Sequence, residues 1–150
     1  MKRFIAAAAI TIAALPALAS NDDIVKVKSL ADVPTTMDRL AAAVTGAGAT
    51  VFARVDHAAG AASVDMTLTP AQVLIFGNPK LGTPAIQDDP LAGLFLPLKV
   101  LVYQDGAGQT WLAYEDPKEM FDHLSIPDDA DYIRTMSGAL AKLTGAAASR

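Results

Sequence analysis

Residues 98–115 read Leu98-Lys99-Val100-Leu101-Val102-Tyr103-Gln104, then Asp105-Gly106-Ala107-Gly108, then Gln109-Thr110-Trp111-Leu112-Ala113-Tyr114-Glu115. Two runs rich in β-branched and aromatic residues flank four residues that favour a chain reversal. The stretch therefore predicts two antiparallel strands joined by a short connection. Upstream, Val73-Leu74-Ile75-Phe76 has no polar member, the pattern of a central strand covered on both faces, and Gly77-Asn78-Pro79 ends it. Thr50 to Val55 predicts another strand, and Ile24 to Leu30 alternates Ile24, Lys26 and Lys28 with Val25 and Val27 as a first strand does. Val64, Met66 and Leu68 alternate with polar neighbours, which predicts an edge strand or an extended segment.

Between the first two strands, Val33, Met37, Leu40, Val44 and Ala47 recur at helical spacing. Asp32 stands where a cap belongs, Pro34 where a first turn tolerates it, and Gly46 and Gly48 close the run. Asp56 to Ala62 suggests one short helical turn capped by Asp56, and Asp116-Pro117 opens another that runs to about His123. A last helix begins at Pro127 and Asp128 and keeps Ile133, Met136, Leu140, Leu143 and Ala147 in period. Residues 80–97, with Pro84, Pro90 and Pro97 spaced through them, predict a long connection with helical turns and no single helix. Ordered connections of that length are often functional. The order of elements predicts an α+β domain: a single-layer, mixed but largely antiparallel sheet of five to six strands, with two long helices packed on one side.

The N-terminus carries a different signal. Lys2 and Arg3 precede an apolar run from Phe4 to Leu15, and Ala17-Leu18-Ala19 follows Pro16 in the small-x-small pattern of a cleavage site. The run is shorter than the roughly 20 residues of a spanning helix. Residues 1–19 are expected to be a signal peptide cleaved between Ala19 and Ser20, leaving residues 20–150 as a single periplasmic or secreted domain. No cysteine occurs, so disulfides, thiolate metal sites, thioether-linked haem and thiol catalysis are excluded. The chain has 12 basic and 16 acidic residues, and loss of Lys2 and Arg3 makes the balance more acidic. That charge argues against nucleic acid, which needs clustered Lys and Arg, and against an anionic membrane surface once the signal is removed.

Few residues carry chemistry. His57 falls at the end of a predicted strand, where an imidazole can ligate iron or move a proton near neutral pH. The alternative is a histidine that hydrogen-bonds locally beside the Asp56 cap. His123, the second histidine, lies beside Met120, Phe121 and Asp122 and is read first as a helix-end residue, second as a further iron ligand. Gly77-Asn78-Pro79-Lys80-Leu81-Gly82-Thr83 follows a buried strand as a phosphate loop does, yet Gly82 is followed by Thr83-Pro84 and not by Lys-Ser/Thr. It is read as a structural turn, with Gly77, Asn78, Pro79 and Lys80 as candidate small-ligand contacts. Asp88-Asp89, Glu115-Asp116 and Asp128-Asp129-Asp131 lack the calcium-loop pattern. No G-x-S-x-G elbow is present. Leu91, Leu94, Phe95 and Leu96 are candidates for core packing, a pocket or a dimer contact.

Three segments carry a family resemblance. Phe52-Ala53-Arg54-Val55-Asp56-His57-Ala58-Ala59-Gly60-Ala61 is one, and the long run from Leu68-Thr69-Pro70 through Phe76-Gly77-Asn78-Pro79-Lys80-Leu81-Gly82-Thr83-Pro84 is the second. Leu96-Pro97-Leu98-Lys99-Val100-Leu101-Val102-Tyr103 with Tyr114-Glu115-Asp116-Pro117 completes the set in order. Together they resemble the bacterial family called domain of unknown function 302, over roughly Val33 to Ile126. Thr69 stands where that family usually has a basic residue, and Ala85-Ile86-Gln87 where it has larger apolar ones. The resemblance implies a small α+β domain, pairing as a homodimer, and non-covalent haem b held by a histidine, here His57. It assigns no activity. Three readings follow: an exported domain that binds a small ligand, with haem its sharpest case; an enzyme using His57 as general base with Lys80 or Arg54 as electrophilic stabiliser; and a ligand-free interaction module.

Overall fold

The computed structural model describes residues 23–149. The expected signal peptide lies outside them. Five strands form one sheet: β1 (Ile24–Lys28), β2 (Thr50–Asp56), β3 (Ala71–Gly77), β4 (Leu98–Gln104) and β5 (Thr110–Glu115), in the order β1-β5-β4-β3-β2. Every pairing is antiparallel, so the expected mixed character is absent among the described residues. The hairpin of residues 98–115 forms as its composition requires. Asp105 Oδ1 accepts from Ala107 N and Gln109 N at 2.9 Å each, and Gly108 takes a φ of +81°, which glycine adopts at little cost.

Helices α1 (Val33–Gly46) and α5 (Asp131–Ala148) cover one face. Asp32 Oδ1 caps α1 by accepting from Thr35 N at 2.9 Å, as its sequence position suggests. The start of α5 differs from expectation. Ala130 is its N-cap, no side chain caps it, and Asp131 complements the dipole from the first turn. The apolar stripes of both helices meet alternate residues of the sheet: Met37, Leu40, Val44, Met136 and Leu140 are buried with Leu74, Phe76, Val100, Val102 and Leu112 in one core. Burying each such side chain is worth about 1.5–3 kcal/mol, and that burial holds the layers together.

Three shorter helices, a 3-10 turn and one segment depart from or refine the sequence reading. Residues 79–88 form a helix, α3 (Pro79–Asp88), in the region where the prolines argued against one. Pro79 sits in the first turn, where no amide is needed, and Pro84 removes a single bond that would fall on the carbonyl of exposed Lys80. A 3-10 turn at Pro90–Leu94 follows. Helix α2 (His57–Ala62) is capped by Asp56, whose Oδ1 accepts from Ala59 N at 2.9 Å. Residues 63–65 form a turn and residues 66–69 join no strand, and α4 (Pro117–Met120) is a single turn. Strand β3 is second from one edge, and helices cover it on one face only.

Candidate functional site

An apolar concavity opens at one end of the sheet, where β3 passes into α3. Asn78 makes that junction. Its Oδ1 accepts from Lys80 N at 3.0 Å, and its backbone oxygen accepts from Leu81 N at 2.9 Å and Gly82 N at 3.0 Å. Pro79 has no amide, so every donor of the first turn of α3 is already engaged. An anion finds no free N–H there.

Opposite this junction, the β2–β3 register shifts between Val51 and Ala53, which makes Phe52 the extra residue of a bulge. Its ring turns outward, 56% exposed, over the mouth of the cleft. Gly77 lets it come close: a Cβ at that position would stand 3.3 Å from Phe52 Cε2 and 3.5 Å from Pro97 Cβ. The floor is Phe76, Leu98, Met136 and Leu143, all buried; Leu81, Ile86 and Leu96 form the walls. The cavity measures about 280 Å3, and its lining includes no charged side chain.

The wall supplied by α3 is fastened at its far end. Tyr132 Oη, on α5, donates to Asp88 Oδ2 at 2.6 Å, and Asp89 Oδ2 accepts from Ser125 N at 2.9 Å. Burial, then the Asp88 carboxylate, pushes the Tyr132 phenol well above its ordinary value. The Ser125 and Leu91 amides hold the Asp89 carboxyl below the usual carboxylate range. The Asp88-Asp89 pair is thus a pair of fastenings between elements.

The structure brings together some of the residues singled out from sequence and separates others. Gly77, Asn78 and Pro79 line the cleft; Lys80 is exposed on the first turn of α3 and is not among the lining residues. His57 is elsewhere. Thr50 pairs with Gly77 while Asp56 pairs with Gln72, so His57 follows the opposite end of β2, about 20 Å of strand away. It is exposed on a six-residue helix. A single cleft containing both His57 and Gly77-Asn78-Pro79 is therefore not formed. Arg54 is engaged with Asp38 and with Gln72 Oε1 at 2.9 Å, and Lys80 stands at the far end of the sheet, so the stabilisers suggested for His57 do not gather around it. His123 is exposed near the cleft's end of the sheet, its ring centroid 6.5 Å from that of Phe95. The two histidines do not meet within one chain, and no group of three or more potential metal ligands occurs among the described residues.

The family model for the domain of unknown function DUF302 matches residues 25–146. The chain belongs to the DUF302 family. A solved DUF302 protein from Bacillus stearothermophilus, described as an uncharacterized conserved protein, superposes with a TM-score of 0.76. The match covers 84% of this chain and 98% of that one at 20% identity, a likeness of fold. Two Brucella proteins share more sequence. A protein named fluoride-specific ion channel FluC 1 from Brucella suis is 43% identical over 104 residues, 68% of this chain and 41% of that protein. One named FluC 2 from Brucella melitensis is 43% identical over the same length, 38% of its own. The DUF302 chain thus matches about two fifths of each of these relatives.

The residues that build the cleft were only partly legible. Leu96 belongs to the apolar run weighed as a pocket wall, and Gly77-Asn78-Pro79 ended a buried strand. Phe52, Met136, Ala139 and Leu143 gave no local sign, because they converge from a bulge and from the far helix.

Proposed function

We propose that this DUF302 domain binds a small, uncharged, apolar ligand in the cleft between α3 and the end of the sheet, and that it does so outside the cytoplasm. The cleft carries the reading: about 280 Å3, walled by aliphatic and aromatic side chains, with the amides of α3 already engaged. That is nearly twice the roughly 150 Å3 that accepts benzene in a dry protein cavity, so the ligand would have about ten to twelve non-hydrogen atoms. A charged group would lose its hydration there without compensation. The Lys2-Arg3 start and the Ala17-Leu18-Ala19 site support export. Haem is not part of this reading. A porphyrin far exceeds benzene in size, the cleft is lined by no histidine, and a haem on His57 would lie on an open surface.

The test is an amide chemical-shift titration of the purified protein with indole and with cyclohexanol. Saturable shifts at Gly77, Asn78 and Gly82, with Kd roughly 0.1–1 mM, are the expected result. Ala139→Phe, which fills the cleft from α5, should abolish them while the rest of the spectrum persists. Shifts that never saturate, or that survive Ala139→Phe, would refute the reading.

A second reading rests on the Brucella relatives, in which a stretch similar to this chain is part of a protein named for fluoride conduction. No helix among the described residues is long and apolar enough to cross a membrane. In this reading the domain is an accessory to a membrane transport protein and lies outside the bilayer. Deleting the gene should then lower growth in added fluoride; unchanged growth would remove it.

A further inference from the structure

Hydrogen bonding in the cleft is one-sided. Among the side chains that line it, only those of Asn78 and Thr83 carry a strong hydrogen-bonding group. Asn78 turns its acceptors onto α3. Its Oδ1 accepts from Lys80 N at 3.0 Å, and its backbone oxygen accepts from Leu81 N at 2.9 Å and Gly82 N at 3.0 Å. The cap also fixes which way the carboxamide lies. A flipped group would set Nδ2 against the Lys80 amide, donor against donor, so the oxygen faces the helix and Nδ2 is the half turned away from it. Nδ2 meets no acceptor among the described residues, and it is not a buried unpartnered atom of theirs. It is a free donor on a residue of the cleft wall. Thr83, further along α3, is exposed, and its hydroxyl can donate or accept.

We infer that Asn78 Nδ2 selects the ligand, a neutral molecule with an apolar body and one acceptor oxygen, the chemistry of small ketones and esters. This selectivity rests on the cleft being the ligand site. An apolar cavity strips water from whatever enters, and an acceptor that finds no donor there loses its hydration without compensation. One aimed N–H reverses that loss for an acceptor. It does nothing for a group that must donate, because Oδ1 and the backbone oxygen of Asn78 are already engaged. A carboxylate or phosphate is rejected: no charged side chain lines the cleft, and the amides of Lys80, Leu81 and Gly82 are taken. A hydrocarbon fits the walls but leaves Nδ2 without an acceptor once water is displaced, which costs it affinity. The donor stands at the junction of β3 and α3. The oxygen of the ligand therefore lies at that junction, and its apolar body lies over Met136 and Leu143 of α5.

Acetophenone and α-methylstyrene make the test, because they share a shape and differ in a C=O against a C=CH2. Each is titrated into the purified protein and followed in the amide spectrum, which includes the side-chain NH2 of Asn78. Both are expected to shift Gly77 and Gly82, and acetophenone to move the Asn78 NH2 further downfield than its hydrocarbon twin. Asn78→Asp keeps the cap, as aspartates do at α1 and α2, and puts an acceptor where the donor stood. Asn78→Ser keeps a capping oxygen without adding charge. Each is expected to weaken acetophenone at least about threefold relative to α-methylstyrene, a ratio in which the difference in hydrophobicity cancels. Thr83→Val leaves the ratio unaltered. Binding of both compounds with a ratio unmoved by the Asn78 variants overturns the assignment of Nδ2 and leaves the cleft as a ligand site. A ratio moved by Asn78→Asp alone is an effect of charge and overturns it too, as does one that collapses in Thr83→Val. If neither compound binds saturably to the wild type, the cleft reading falls and the selectivity falls with it.

Discussion

Tyr132 Oη donates a 2.6 Å hydrogen bond to Asp88 Oδ2 and so joins the first turn of α5 to the last residue of α3. The bond closes the far end of the wall that faces the apolar cleft. Tyr132→Phe is expected to cost about 0.5–1.5 kcal/mol, toward the lower figure because the pair is partly exposed. The phenol's raised value sets the pH dependence. A group whose folded pKa lies above its unfolded one contributes fully below the unfolded value, here about 10, and loses that contribution as pH rises through the folded value. Thermal melts should show wild-type stability falling above about pH 10 by more than that of Tyr132→Phe.

Trp111 is the one tryptophan of the chain, and its Nε1 donates to Asp105 Oδ2 at 2.8 Å. That indole bond, with the Gln109 amide, holds the Asp105 carboxyl below its ordinary value. For a depressed carboxyl the stabilising interaction is present above the unfolded pKa and lost as pH falls through the folded one. Tryptophan emission should therefore stay constant down to about pH 4 and change below it. Asp105→Asn should remove that step; a step that persists would place the titrating group elsewhere.

A Cβ at Gly77 would press on the Phe52 ring at 3.3 Å and meet Pro97 Cβ only at an ordinary contact distance of 3.5 Å. Gly77→Val is expected to displace the Phe52 ring, weaken indole binding about tenfold or more, and leave the far-ultraviolet spectrum intact. The displaced ring is the far end of a side chain at the surface, so stability should fall by only about 1–3 kcal/mol. Denaturant unfolding measures that figure alongside the binding titration.

Leu74 is fully buried between the sheet and the helices, whereas Leu94 is an exposed residue of the 3-10 turn. Leu74→Ala should cost about 2–5 kcal/mol in urea unfolding, through lost burial and a residual cavity. Leu94→Ala should fall within about 0.5 kcal/mol of wild type. Equal effects would contradict the packing described.

His57→Ala removes an exposed imaginable ligand that lies across the sheet from the cleft. Indole affinity and the melting temperature are both expected to be unchanged. A loss of affinity would join the two ends of β2 in function and reopen a role for the imidazole.

Local signals decided much of this DUF302 protein. The Asp105-Gly106-Ala107-Gly108 reversal, the Asp32 and Asp56 caps and the stripe from Val33 to Val44 each act within a few residues, and each appears where its chemistry puts it. The same locality explains the misreading of residues 79–88. Pro84 counted as a breaker, but in a helix already capped by Asn78 and fastened through Asp88 it removes one bond and the tertiary contacts outweigh it. Only the tertiary structure decided the cleft. Phe52, Gly77, Leu96 and Met136 meet through strand register and helix packing, interactions between residues distant in the chain that no local periodicity encodes. Register also parted His57 from Gly77, since neighbouring antiparallel strands run in opposite directions and residues close to one turn lie far from the other. The unbroken apolar run at Val73 to Phe76 announced a strand covered on both faces; the helices cover one.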